Sequence, residues 1–201
     1  MSLFLVTVGR LTNLALALQL DPSISSKFKK VVIMGGTVFA PGNITPVSEA
    51  NLYGDPEAAA LVFESDLPIT IVGLDVTQQT RLTKSHMQYL SREVAADKRE
   101  IFNFLDAALE CYFDFYAFSN HFEGECPMHD PLAVIVAVNP TLVHVETMNA
   151  VVDCGIGFTA GMIITDRRVR SVVGRPVDIC LEVDKEKAIA ELLSVFTKGE
   201  R

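Results

Sequence analysis

Apolar blocks alternate with polar connections from the start of the chain. Leu3 to Val8 is an almost uninterrupted apolar run and reads as a central strand. Leu14 to Leu20 is apolar nearly all round, so it reads as a helix buried on several sides, with Thr12 or Asn13 as its cap. Phe28 to Lys30 leads into a short apolar strand, Val31 to Ile33. After a long loop, Asp55-Pro56-Glu57 starts a helix running to about Ser65, with Asp as N-cap and Pro at the first helical position. Pro68 to Leu74 gives the next strand. Strand, helix, strand, helix, strand with short connections predicts an α/β fold: a mostly parallel, Rossmann-like sheet with helices on both faces.

Further on, Thr83 caps a helix over Lys84 to Ser91. Asp97 then opens a long helix through Phe118, with apolar residues near helical spacing. Leu132 to Val138 is a strongly apolar helix behind Asp130-Pro131, the same cap-plus-Pro grammar as Asp55-Pro56. In the last third the style changes. Thr141 to Cys154, Phe158 to Asp166 and Val177 to Val183 are rich in Val, Ile and Thr and read as antiparallel or mixed strands. Arg167-Arg168-Val169-Arg170 reads as a solvated basic hairpin, and Asp184 caps a final helix through Phe196.

Composition narrows the functional class. At 201 residues the chain suffices for one domain with a large core, so 1–201 is read as a single domain. A hydrophobic fraction of 49% with 21% charged residues is that of a soluble globular protein. The net charge of -8 argues against nucleic-acid binding, which needs a basic face. No apolar run spans a membrane, and no signal peptide is recognisable. Cys111, Cys126, Cys154 and Cys180 are widely spaced, in neither zinc-site nor disulfide-framework pattern, and read as reduced thiols of a cytoplasmic protein.

Candidate chemistry gathers in two stretches. The loop from Met34 to Glu57 follows the carboxyl end of a strand, where open α/β sheets bind ligands, and it is longer than connections in compact domains usually are. It carries Asn43, Glu49 and Asn51, whose carboxamides and carboxylate suit a polyhydroxylated ligand such as a sugar. Taken alone, an ordinary surface loop built on turn formers accounts for it equally well. The second stretch is His129-Asp130-Pro131. Asp130 reads as a helix cap, yet a carboxylate at that position stays ionised and can ligate a hard cation. Between them, Tyr112, Phe115, Tyr116 and Phe118 exceed what one buried helix face needs. Some of these rings, Tyr116 among them, are candidates to border a pocket that stacks a flat ligand. His121, in the loop Ser119 to Pro127, is a solvated histidine or a proton donor to a leaving group. Asp75 reads as a turn residue or the cap of Thr77 to Gln79.

Several pieces, in order, resemble the inosine-uridine-preferring nucleoside hydrolase family. They are Leu11-Thr12-Asn13-Leu14-Ala15, Met34-Gly35-Gly36, Gly42-Asn43, Glu49-Ala50-Asn51, Asp55-Pro56-Glu57-Ala58-Ala59, Gly73-Leu74-Asp75-Val76-Thr77 and His129-Asp130-Pro131-Leu132-Ala133. The resemblance implies hydrolysis of a ribonucleoside to ribose and free base, with a calcium ion that holds the ribose diol and the attacking water. It implies Asn43, Glu49 and Asn51 as ribose contacts, Met34 as the pocket wall below the sugar, and His129 facing the leaving base. Tyr116 and His121 join the substrate side. Asp130 and the backbone carbonyl of Val8 take positions of calcium ligands.

The sequence departs from the family in three places. It holds no Asp-x-Asp-Pro-Gly-x-Asp-Asp stretch, Ala50 stands where the family has Phe, and Val8-Gly9-Arg10 replaces Thr-Gly-Pro. With Asp130 as the only obvious calcium carboxylate, weak metal binding and little or no turnover by this chain alone are expected. The abrupt apolar opening reads as a start partway into the family's fold. A missing sheet segment would expose apolar surface, which predicts a homo-oligomer. A non-catalytic nucleoside binder and an oligomerising remnant are the rival readings.

Overall fold

The structure, a computed structural model, describes residues 3–197. Its main sheet has six strands in the order β1-β2-β3-β8-β6-β7. These are β1 (Leu3–Thr7), β2 (Phe28–Met34), β3 (Ile69–Val72), β6 (Val143–Val152), β7 (Ile163–Thr165) and β8 (Arg175–Val183). β1, β2, β3 and β8 pair in parallel, while β6 pairs antiparallel with both β8 and β7. The alternating strand–helix pattern thus yields β1 to β3, and the Val- and Ile-rich last third yields β6 to β8, of which β8 joins β3 in parallel and β6 and β7 form the antiparallel flank. β4 (Arg81–Thr83) and β5 (Glu125–Pro127) form a small antiparallel pair of their own.

The period-two geometry of strands explains why β2 is apolar from Val31 to Met34. Val31 and Ile33 enter one core, with α1 (Thr12–Leu20) and α3 (Pro56–Glu64). Val32 and Met34 enter the other, with α4 (Leu74–Thr77), α7 (His129–Val138) and α8 (Lys185–Thr197). Helices on both faces hide both sets. A third apolar cluster joins α5 (Lys84–Glu93), α6 (Arg99–Asn120) and α8, through Leu90, Phe102, Phe113 and Ile189. A four-residue helix, α2 (Ala50–Tyr53), closes the long loop after β2.

Five readings of the sequence are corrected. β1 is an edge strand, not a central one: among the described residues it pairs only with β2, and Leu3 and Phe4 are 44% and 54% exposed. Hydrophobicity reports what a strand can bury, whereas its place in the sheet is set by pairing with distant segments. α1 buries Leu14, Ala15 and Leu18 but leaves Leu16 and Leu20 exposed, so it is covered on one side. Neither Thr12 nor Asn13 caps it; the Thr12 hydroxyl donates instead to the Asp55 carboxylate. α6 begins at Arg99 and not at Asp97, because a 3-10 turn over Ala96–Lys98 comes first. Asp130 does not cap α7. The N-cap is Met128, which places Asp130 one residue inside the first turn. Elsewhere the caps are as read: Asp55 accepts from the Ala58 N–H, Thr83 shares a capping box with His86, and Asp184 accepts from the Lys187 N–H.

Candidate active site

The carboxyl ends of β1 and β2 and the N-terminus of α7 meet at a cavity of about 630 Å³. Val8, Met34, Asn43, Glu49 and Asn51 line it from the long loop and the strand ends; His129, Asp130, Tyr112 and Tyr116 line it from α7 and α6. The two stretches singled out by sequence, far apart along the chain, therefore share one hollow. Its far end is apolar, walled by Leu105, Leu109, Leu192 and Phe196. His121 is not part of it. That residue is exposed at the C-cap of α6, with a left-handed φ of 57°, where its N–H closes the helix onto the Tyr116 carbonyl.

The loop is held by its own polar groups rather than by regular structure. Glu49 is almost wholly buried; Oε1 accepts from the Asn51 N–H at 2.9 Å, and Oε2 accepts from Gly36 at 2.9 Å and Leu52 at 3.3 Å. Burial pushes the Glu49 carboxyl pKa up and the Asp130 charge adds to this, against the three backbone donors that favour ionisation. Gly36 makes that contact in a left-handed conformation, φ 73°, and a Cβ there would lie 2.2 Å from Ile163 Cδ1, so only glycine fits. Asn43 Oδ1 accepts from the Ala50 N–H at 2.9 Å, and the residue is exposed. Asn51 Nδ2 donates to the Met34 carbonyl at 3.2 Å, which leaves its oxygen as an acceptor.

On the opposite wall, His129 is held at both ring nitrogens. Nδ1 lies 2.7 Å from Thr77 Oγ1 and Nε2 lies 2.9 Å from Tyr116 Oη. Burial lowers the His129 pKa to about 4, so the ring is neutral near pH 7. Tyr116 Oη is 3.4 Å from Tyr112 Oη, and burial raises the pKa of both phenols. Asp130 makes no hydrogen bond or ion pair among the described residues, and its pKa is raised by partial burial.

Two supports of the site were not read as such from the sequence. Asp75, in the first turn of α4, does not act as a cap. Its carboxylate accepts from the backbone N–H groups of Val38, Phe39 and Ala40 at 2.7–2.9 Å, and so pins the start of the long loop. Thr77, two residues on and fully buried, reaches His129. The short α4 thus references both walls to one turn. The signal was present in Gly73-Leu74-Asp75-Val76-Thr77, a polar pair on an otherwise apolar turn, but its partners lie some 35 to 52 residues away.

Calcium, which the family resemblance implies, is not accommodated by these groups alone. Such an ion takes 6–8 oxygen ligands. Here the expected pair supplies the Asp130 carboxylate and the Val8 carbonyl, and Glu49 is engaged by backbone. No group of three His, Cys, Asp or Glu among the described residues could hold a metal.

Fold and site define an α/β protein with a pocket, lined in part by carboxamides and carboxylates, at the carboxyl edge of its sheet. The model of the inosine-uridine preferring nucleoside hydrolase family matches residues 2–190, and the chain belongs to that family. It is 38% identical over 196 residues to uridine nucleosidase 1 of Arabidopsis thaliana, covering 90% of this chain and 54% of that protein. It is 34% identical over 187 residues to the inosine-uridine preferring nucleoside hydrolase of Leishmania major, covering 91% and 56%. Among solved structures, the purine-preferring ribonucleoside hydrolase from Gardnerella vaginalis superposes with a TM-score of 0.85 at 35% identity, covering 96% of this chain and 60% of that one. The chain spans about half the length of the curated relatives it matches.

Proposed function

We propose that this chain forms the sugar- and base-binding side of a nucleoside hydrolase site, and that it binds ribonucleosides there with little or no turnover on its own. The observation that carries the reading is the convergence of Asn43, Glu49 and Asn51 with His129 and Asp130 on one cavity. Asn43 offers a donor, Asn51 and Glu49 offer acceptors, and vicinal hydroxyls need both. Glu49 and Asp130 bring negative charge to the sugar, where positive charge develops as a glycosidic bond breaks through an oxocarbenium-like state. Met34 lies under the same space. His129 and Tyr116 stand at the leaving-base side, and the tyrosine rings offer a stacking surface.

The relatives, which include uridine, inosine-uridine and purine-preferring enzymes by name, support nucleosides as the ligand class without choosing a base. Hydrolysis also needs an activated, positioned water. Asp130 is the one carboxylate in this pocket without a partner among the described residues, and that donor set supports binding more than catalysis. Free thiols at all four cysteines support a reducing, cytoplasmic setting, and no helix among the described residues is long and apolar enough to cross a membrane. Among the described residues β1 pairs on one side only, which supports self-association.

Calorimetry of the purified chain with ribose, inosine and uridine, with and without calcium, tests this alongside absorbance assays of cleavage. Calcium-independent heat with nucleosides and no sustained absorbance change are expected. The absence of heat with every nucleoside would remove the binding reading, and sustained turnover would overturn the impairment.

A further inference from the structure

The hydroxyl of Thr77 has no solvent to bond and, among the described residues, one partner: His129 Nδ1. That restriction has a directional consequence. A neutral imidazole carries one N–H and one lone pair, and a threonine hydroxyl carries one proton. In the first arrangement Nδ1–H donates to Thr77 Oγ1. The threonine proton then has no acceptor and is buried unpaired. In the second arrangement Thr77 O–H donates to Nδ1, Nε2–H donates to Tyr116 Oη, and Tyr116 O–H is free to donate onward to Tyr112 Oη. Every buried polar hydrogen is then paired. An unpaired buried donor is costly enough to shift such an equilibrium about tenfold or more.

We propose that Thr77 is a positioning residue that fixes His129 as its Nε2–H tautomer. The hydroxyl chain is thereby oriented from the core toward the pocket, Thr77 to His129 to Tyr116 to Tyr112. The wall facing the leaving base then presents a phenolic O–H donor, suited to a base that offers a carbonyl oxygen or an unprotonated ring nitrogen. The last step rests on the nucleoside reading above; the tautomer does not. Thr77 is placed for this by its own helix, since its N–H donates to the Gly73 carbonyl and its carbonyl accepts from Thr80 N–H, leaving the side chain aimed at α7.

Long-range ¹H–¹⁵N correlation spectra of the histidine rings test the assignment in ligand-free protein near neutral pH. The chain has 4 histidines, and His129 is identified by its absence in His129→Gln. The expected spectrum shows His129 predominantly protonated at Nε2. Thr77→Val should give a mixture with a clear Nδ1–H share, and Thr77→Ser should restore the wild-type pattern. Wild-type protein protonated at Nδ1 would overturn the proposal, as would a Thr77→Val spectrum indistinguishable from wild type. Inosine titrations of the same samples report separately on the pocket. If none binds while the tautomer pattern holds, the nucleoside reading fails and the role of Thr77 in orienting His129 stands.

Discussion

Replacing Asp75 with Asn removes one oxygen acceptor while keeping the shape of the side chain. In the native site Oδ1 accepts from Phe39 N–H at 2.7 Å and Ala40 N–H at 2.9 Å, while Oδ2 accepts from Val38 N–H at 2.9 Å. An amide must put its NH₂ on one side or the other. Whichever it chooses, at least one backbone N–H then faces another donor. A hydrogen bond to a charged group contributes about 1.5–3 kcal/mol, and an unsatisfied donor costs about 1–3 kcal/mol. Asp75 is only 7% exposed, so water does not readily take over. We expect a loss of about 3 kcal/mol, felt locally at the start of the long loop. Since about 1.4 kcal/mol corresponds to a factor of ten, the amides of Val38 to Ala40 should exchange with solvent about 100-fold faster. Native-state hydrogen exchange by NMR reads this directly, and urea unfolding reports how much reaches global stability. Unchanged exchange at those amides together with an unchanged urea midpoint would refute the claim that Asp75 anchors the loop.

Two other perturbations separate site from scaffold. His121→Gly should stabilise the protein by up to about 1 kcal/mol, because glycine adopts the left-handed C-cap conformation without the penalty a Cβ brings. Nucleoside affinity should not change; a loss of affinity measured by calorimetry would return His121 to the site. His129 gives a pH signature. Its folded pKa of about 4 lies below the unfolded value near 6.5, so folding excludes a proton that the unfolded chain takes up. The neutral ring therefore costs nothing above pH 6.5, stability falls by about 3 kcal/mol as pH drops from 6.5 to about 4, and the contribution is flat below that. The difference in unfolding free energy between wild type and His129→Gln should follow this curve, and a difference constant across that range would contradict the burial argument.

What the sequence disclosed, and what it did not, follows from the range of the forces involved. Period-two and helical patterns, with Asp55-Pro56 and Thr83 as caps, are local and marked most elements correctly. Strand order is not local, so the apolar run at Leu3 to Val8 reads as central although β1 lies at the edge. The same limit applies within the pocket. Asn43, Glu49, Asn51, His129 and Asp130 were legible because residue type and motif order announce them. Asp75 and Thr77 were not, since their worth lies in partners reached only after folding. Asp130 was legible as a candidate ligand, but the cap that its context also suggested is not formed: the carboxylate caps nothing and opens on the cavity. His121, sitting in a polar connection, was selected for its chemistry alone, and backbone geometry assigns it to ending a helix.

The proposed site requires two distant segments to share one ligand. Titration of ¹⁵N-labelled protein with inosine, followed by amide shifts, measures that sharing directly. Amides over residues 43–51 and those of His129 and Asp130 should move together, saturating at one nucleoside per chain with a single dissociation constant. Response confined to one segment, or two segments saturating at different concentrations, would contradict it.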